Sequence, residues 1–127
     1  GVPFALHWMH VAMGSMDGHK MSKSRGNLVF VDKLRTQHDP MAIRLGLIEH
    51  HYRTEWEWDD GLMARNETRL ASWKASAHST DESVLRDVRA ALDDDLDSPR
   101  AVAVLDDAAA RGIGILGAAE LLGVQMT

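Results

Sequence analysis

The 127-residue chain contains no cysteine. That excludes a disulfide framework and any thiolate metal site made by this chain alone, and it is compatible with a cytosolic home. Long apolar runs are also lacking: charges or glycines interrupt every hydrophobic stretch well before the roughly 18 residues that a membrane span requires. No basic segment precedes an apolar run at the start, so neither a signal peptide nor an anchor is expected, and the protein is expected in the cytoplasm. Internal repeats and low-complexity segments are absent. Acidic residues are scarce in the first part, where residues 1–53 carry four Asp and Glu against seven Lys and Arg, whereas residues 54–127 carry fifteen against seven. A polyphosphate ligand therefore suits the first part, and most of the second would repel a nucleic-acid backbone. What remains, with 45% hydrophobic residues, has room for one domain or for the trailing piece of a larger one.

Along the chain, the apolar run Phe4-Ala-Leu-His-Trp-Met-His-Val-Ala-Met13 reads as a strand buried on both faces. Such a strand needs neighbours, and few other convincing strands follow, so its partners are expected upstream of Gly1. Asp17-Gly18 is a tight hairpin turn. It leads into a polar loop, Lys20 to Asn27, too rich in Ser, Gly and Asn for a regular element. Asp32 is expected to cap a brief helix to Gln37. Asp39-Pro40 starts a helix to about His51 that buries Ile43, Leu47 and Ile48. Residues 52–58 read as an aromatic linker. Asp59 or Asp60 then caps a helix to about Ala77 with Leu62, Leu70, Trp73 and Ala77 near one face, and a further helix runs from about Asp81 to Asp93 with Val84, Leu85, Val88 and Leu92 inward. Asp97-Ser98-Pro99 repeats the cap and proline logic, Gly112 and Gly114 stop that helix, and Leu116 to Leu122 forms the last one. The second half is thus expected to be an antiparallel helical bundle.

The chemistry is expected in the loop. Two lysines three residues apart, interleaved with serines and followed by Arg25-Gly26-Asn27, make a set of donors with no carboxylate of its own. Ammonium groups offset charge on a transferring or leaving phosphate, while hydroxyls and loop amides add hydrogen bonds. A solvated basic turn has the same composition. The letters themselves decide more: Lys20-Met21-Ser22-Lys23-Ser24 is the complete KMSKS signature of class I aminoacyl-tRNA synthetases, a match expected by chance in about one of 10⁴ to 10⁵ chains of this length. Residues 10–27, Asp39-Pro40 with Arg44, His51-Tyr52-Arg53 and Leu96-Asp97-Ser98-Pro99-Arg100-Ala101 resemble corresponding stretches of the cysteinyl-tRNA synthetase family.

That resemblance implies a mainly α chain: the remnant of a Rossmann-type α/β catalytic domain with its KMSKS loop (residues 1–27), a connecting helical segment (28–58) and a helical bundle (59–127). It implies that cysteine attacks the α-phosphate of ATP, with Mg²⁺ accompanying the nucleotide, to give cysteinyl-AMP and pyrophosphate. Lys23 would stabilise charge on the triphosphate in the transition state, with Lys20, Ser22 and Ser24 shaping the loop. The backbone contact to the adenosine portion falls on Gly14, beside Met13, where relatives usually carry a branched aliphatic residue. The family's His-X-Gly-His signature and its zinc ligands do not occur in this chain. A carboxy-terminal fragment, monomeric and inactive by itself, is therefore expected, with zinc only in the complete enzyme.

Two branches of the family differ in the acceptor, which is either a tRNA 3′ end or the amine of glucosaminyl-inositol in mycothiol synthesis. The acidic second half and the Trp56-Glu57-Trp58 segment favour the amino sugar over tRNA. A non-enzymatic helical interaction module is the remaining alternative. Other residues point to packing. Adjacent His50 and His51 diverge by about 100° on a helix and cannot converge on one metal alone. His7 and His10 would face opposite sides of a strand, and His10 could line a nucleotide cleft. Asp93-Asp94-Asp95 with Asp97 fits a helix end followed by a capped restart better than a cation cluster. Trp56, Trp58 and Trp73 are expected to bury a bundle face, and Arg53 to pair with an acid of the bundle.

Overall fold

In a computed structural model that describes all of residues 1–127, the expected strand at residues 4–13 does not form. The reason is a missing ladder. A strand needs a neighbour for its backbone groups, and here Ala12 N–H donates to the Tyr52 carbonyl at 2.8 Å while the side chains upstream meet little: Phe4 is 96% exposed. The first strand is instead the short β1, Gly14–Met16. Asp17 and Gly18 both take positive φ, +52° and +74°, as a two-residue type I′ hairpin requires. They return the chain into β2, His19–Lys20, antiparallel to β1 with Ser15 opposite Lys20.

The Asp-Pro start at residue 39 behaves as its chemistry dictates. Asp39 accepts the Met41 amide at 2.8 Å and opens α2, Pro40–Ile48, which follows the single turn α1, Val31–Leu34. Asp32 lies inside α1 and does not cap it, since Phe30 occupies the cap position without a side-chain bond. The buried face of α2 is Ala42, Ile43, Leu45 and Gly46, with Leu47 left exposed, so the inward stripe is rotated from the expected one.

The supposed linker 52–58 contains a strand, β3, Trp56–Glu57. It pairs in parallel with β1, Gly14 against Trp56 and Ser15 against Glu57, giving the strand order β2-β1-β3. A parallel pair needs a long crossover, here supplied by the loop, α1 and α2 together.

Helix α3 runs Leu62–Ala75 and starts later than expected, after Gly61, without a side-chain cap. Neither expected cap serves it: Asp59 accepts the Gly61 amide and is held by Arg65, and Asp60 makes no cap bond. Helices α4, Glu82–Asp93, and α5, Ser98–Ala110, are capped by Asp81 and Asp97 as their sequences require, and α6, Leu116–Leu121, closes the set. Gly112 takes the left-handed conformation that ends α5. Gly114 has a different task, because a Cβ there would stand 2.7 Å from the Ser79 carbonyl oxygen. Nineteen buried residues from α2 through Val124 form one core, with Trp73, Leu45, Leu105 and Ile115 fully inside. The fold is mainly helical, with a three-stranded sheet on which the loop is mounted.

Candidate functional site

The loop leaves the hairpin at Lys20 and is closed by its own side chains. Asn27 spans the neck: its Oδ1 accepts the Ser22 amide at 2.9 Å, and its Nδ2 donates to the carbonyls of Lys20 at 3.2 Å and His19 at 3.4 Å. All three bonds go to residues of the loop base, so one amide side chain sets the width of the loop. Within it, Gly26 at φ +67° donates its amide to the Lys23 carbonyl at 3.2 Å. The Ser22 hydroxyl accepts the Arg25 amide at 3.4 Å and lies 3.2 Å from the Ser24 hydroxyl. The serines thus organise the turn that presents Lys23.

Charge is left free at this turn. Lys20, Lys23 and Arg25 are exposed and none has a carboxylate within ion-pair distance, although the chain forms ion pairs from α2 to α5. Three unpaired cations on one short loop attract a polyanion, and a phosphate chain is the polyanion that ammonium groups and hydroxyls accommodate together.

The structure brings Gly14 to the base of that loop. Its carbonyl accepts the Met21 amide at 3.4 Å, and the Met13 carbonyl accepts the Trp56 amide at 3.4 Å. An added Cβ at Gly14 would meet nothing within 4 Å, so the glycine leaves open space where a branched residue could stand. Met13 is half exposed. Beneath them lies a small apolar cavity of about 130 Å³, bordered by Gly14, Met21, Val29, Ile43, Trp56 and Trp58. Met21, the apolar letter of the motif, therefore faces packing while its polar neighbours face solvent. A larger apolar groove of about 410 Å³ runs between Met9, Ala12, Leu47, His50, Trp56 and Leu122.

The remaining candidates are structural. His50 stacks on Trp56 with centroids 4.0 Å apart, and its Nδ1 lies 3.0 Å from the Gly46 carbonyl. His51 Nε2 lies 3.1 Å from the Asp95 carbonyl. His10 borders a surface cavity with Trp8, Met9, Tyr52 and Arg53. Asp94 pairs with Arg100 at 3.1 Å, Asp97 caps α5, and Asp95 pairs with Arg53 at 2.8 Å and accepts the Tyr52 hydroxyl. Arg53 thus meets an acid of the helical part, as its position led one to expect. Of the three tryptophans, Trp73 is in the core with its indole N–H donated to Asp106 at 2.8 Å, while Trp56 and Trp58 flank Glu57 at the sheet, Trp58 packing against the helical core from there and Trp56 on His50. No group of three or more His, Asp or Glu side chains could hold a metal ion. With cysteine also absent, these residues do not fit a zinc site. No helix is long and apolar enough to cross a membrane.

Sequence reasoning passed over Asn27 and Glu57 as working parts. Asn27 follows Gly26 at a loop exit, a position where an amide often bonds back to the backbone, and that signal was available. Glu57, whose carboxylate accepts the Gly18 amide, gave none, because the contact spans 39 residues.

Comparison with known proteins places these observations. The chain is similar to enzymes named L-cysteine:1D-myo-inositol 2-amino-2-deoxy-α-D-glucopyranoside ligase from several bacteria. Identity is 50% over 115 residues with that of Streptosporangium roseum, covering 87% of this chain and 28% of the relative. It is 53% over 120 residues with that of Thermobifida fusca, covering 88% and 29%, and 46% over 133 residues with that of Nakamurella multipartita, covering 98% and 33%. The chain therefore spans about a third or less of the length of these relatives. The model of the class I (C) tRNA synthetase catalytic domain matches residues 1–68, the stretch that holds the hairpin, the loop, α1, α2 and β3, and by that match over more than half its length the chain belongs to the class I tRNA synthetase family.

Proposed function

We propose that this chain is the part of an ATP-dependent cysteine ligase that carries the KMSKS loop, in an enzyme that forms cysteinyl-AMP and transfers cysteine to the amine of glucosaminyl-inositol. One observation carries the reading: an ordered loop with the complete motif and three unpaired cations sits in a chain about half identical to ligases whose name specifies that acceptor. In the complete enzyme the ammonium of Lys23 meets the triphosphate as charge builds on the departing pyrophosphate, and Lys20 and the two serine hydroxyls hold the loop's shape around it. The Gly14 backbone, with Met13 beside it, borders the adenosine portion. Mg²⁺ accompanies ATP, and zinc belongs to residues outside these 127. Residues 1–27 act as the end of a Rossmann-type nucleotide-binding domain, 28–58 as a connector and 59–127 as an antiparallel helical bundle, in a monomeric cytoplasmic enzyme. The exposed apolar side chains of residues 2–11 support the first assignment, since they are the composition of a strand seeking a sheet.

The test uses the complete enzyme. Cysteine-dependent exchange of pyrophosphate into ATP is expected, followed by formation of an amide with glucosaminyl-inositol and no charging of tRNA. Charging of tRNA with cysteine would move the protein to the other branch, and absence of exchange would leave only a binding module. The isolated 127 residues should show no exchange.

A further inference from the structure

We infer that Glu57 is a positioning residue for the KMSKS loop, holding the hairpin that delivers it through a hydrogen bond from the Gly18 amide. The inference rests on the reading of the loop as the ATP-handling element. Its starting point is a carboxylate in a place where packing does not ask for one. Glu57 is exposed, it belongs to a two-residue strand between two tryptophans, and it takes part in no ion pair. Carboxylates are disfavoured in strands. The side chain has one partner, the Gly18 amide.

That amide needs a partner. In a type I′ hairpin the turn bond uses the residue after the two central ones, so the amide of the second central residue, Gly18, has no acceptor within the turn. Glu57 supplies it from another strand. Cross-strand partners share a face of a sheet. Glu57 pairs with Ser15 and Ser15 with Lys20, so the three lie in one row on the polar face. Lys20 is both the last residue of β2 and the first of the motif. Fixing Gly18 fixes the strand from which the loop departs two residues later.

The anchor is itself fixed. Trp56, next to Glu57, stacks on His50 at the end of α2, and the Trp58 amide donates to the Ser15 carbonyl at 2.8 Å. A line of contacts therefore runs from the helical core through β3 to the hairpin tip. A loop that carries an ammonium to a reacting phosphate gains rate only if its base is held in register, since small misplacements of a charged group cost much of its effect.

Two variants of the complete enzyme separate the acceptor role from charge. Glu57→Ala removes the acceptor and should lower the rate of cysteine-dependent exchange about tenfold, with the KM for cysteine within about twofold of the wild type. Glu57→Gln keeps an acceptor oxygen and should restore the rate to within about threefold. An unchanged rate in Glu57→Ala, or a Gln variant as slow as the Ala variant, would overturn the inference. A measurement on the wild-type complete enzyme guards against a variant that fails to fold. In ¹H–¹⁵N spectra of the wild type the Gly18 amide should be protected from hydrogen exchange, as a turn amide without an acceptor is not, and a Gly18 amide that exchanges at the unprotected rate would also overturn it. A wild-type enzyme without pyrophosphate exchange would sink the ligase reading instead, and the protection of the Gly18 amide would still report the anchor.

Discussion

At the scale of single residues, the loop divides its labour between groups that shape it and groups left free to act. Asn27 and the two serines make their side-chain hydrogen bonds within the loop and its base. Lys23 has no partner of either kind. A group that is unpaired in the resting protein and meets charge only as the reaction proceeds adds to the transition state more than to the ground state. Lys23→Ala in the complete enzyme should therefore lower the rate of adenylate formation by about 10² to 10³ while cysteine affinity stays within about twofold, as is typical when one charge-stabilising donor is removed. Single-turnover formation of cysteinyl-AMP, with cysteine binding measured separately, checks this. Loss of binding in step with rate would assign Lys23 to ground-state contact instead. Lys20 should be less sensitive, because its backbone is already engaged in β2 and with Asn27.

At the scale of elements, what could be read in advance was local chemistry, and what could not was partnership across the chain. The caps Asp39, Asp81 and Asp97, the prolines behind two of them, and the Asp17-Gly18 turn each act within four residues, and each does what its side chain dictates. The motif was legible for the same reason. The strand at 4–13 does not form within these 127 residues because an apolar run does not make a strand without a ladder. Strand β3 was missed because Trp56 and Glu57 become one only against Gly14 and Ser15, some forty residues earlier. Gly114 belongs to this class. Read as a helix stop, it is instead the place where the segment before α6 packs on Ser79 and Thr80, with the Asp81 amide donated to its carbonyl at 2.9 Å and an isolated bridge between Thr80 and Ile115. A methyl group there would sit 2.0 Å from the Ser79 hydroxyl, which can rotate away, and 2.7 Å from its carbonyl, which cannot without moving backbone. Gly114→Ala should accordingly cost about 1–3 kcal/mol, the range for overpacking a close contact. Gly112→Ala, with open space but a left-handed φ, should cost about 1 kcal/mol through strain alone. Urea unfolding of the two variants orders them, and a smaller cost at Gly114 would mean that the 79–80 segment yields freely.

At the scale of the whole molecule, the helices that support the sheet are joined to one another by charge as well as by the apolar core. Glu49 sits at the end of α2 with its side chain only 10% exposed. It accepts from Arg65 at 2.7 Å, Arg69 at 2.8 Å and Asn66 at 3.1 Å on α3, and Arg69 reaches on to Asp106 of α5 at 3.0 Å. Glu49 and Arg69 together therefore link three helices. Burial pushes its pKa up, but the bonds from Arg65, Arg69 and Asn66 outweigh burial and hold it below the ordinary 4.5. Asp39 is held low chiefly by the Met41 amide, and Asp81 chiefly by the Ser83 hydroxyl. A carboxyl that is more acidic in the folded state is protonated first in the unfolded one. Its stabilisation is thus complete above the unfolded pKa and is lost as pH falls through the folded value. Thermal stability should be level from neutral pH down to about pH 5 and should fall progressively below about 4.5. Replacing Glu49 by Gln leaves Arg69 with Asp106 alone and Arg65 with Asp59 alone as counter-charge. Discounted for the exposure of Arg65, this should cost about 1–3 kcal/mol at pH 7. The same variant should lose less on acidification, so that the melting curves of wild type and variant, apart at pH 7, approach each other as pH falls below the ordinary carboxylate range. Circular dichroism melts across that range decide it. Curves that stay parallel would show that Glu49 titrates alike folded and unfolded, and that the three helices are held by their apolar core without it.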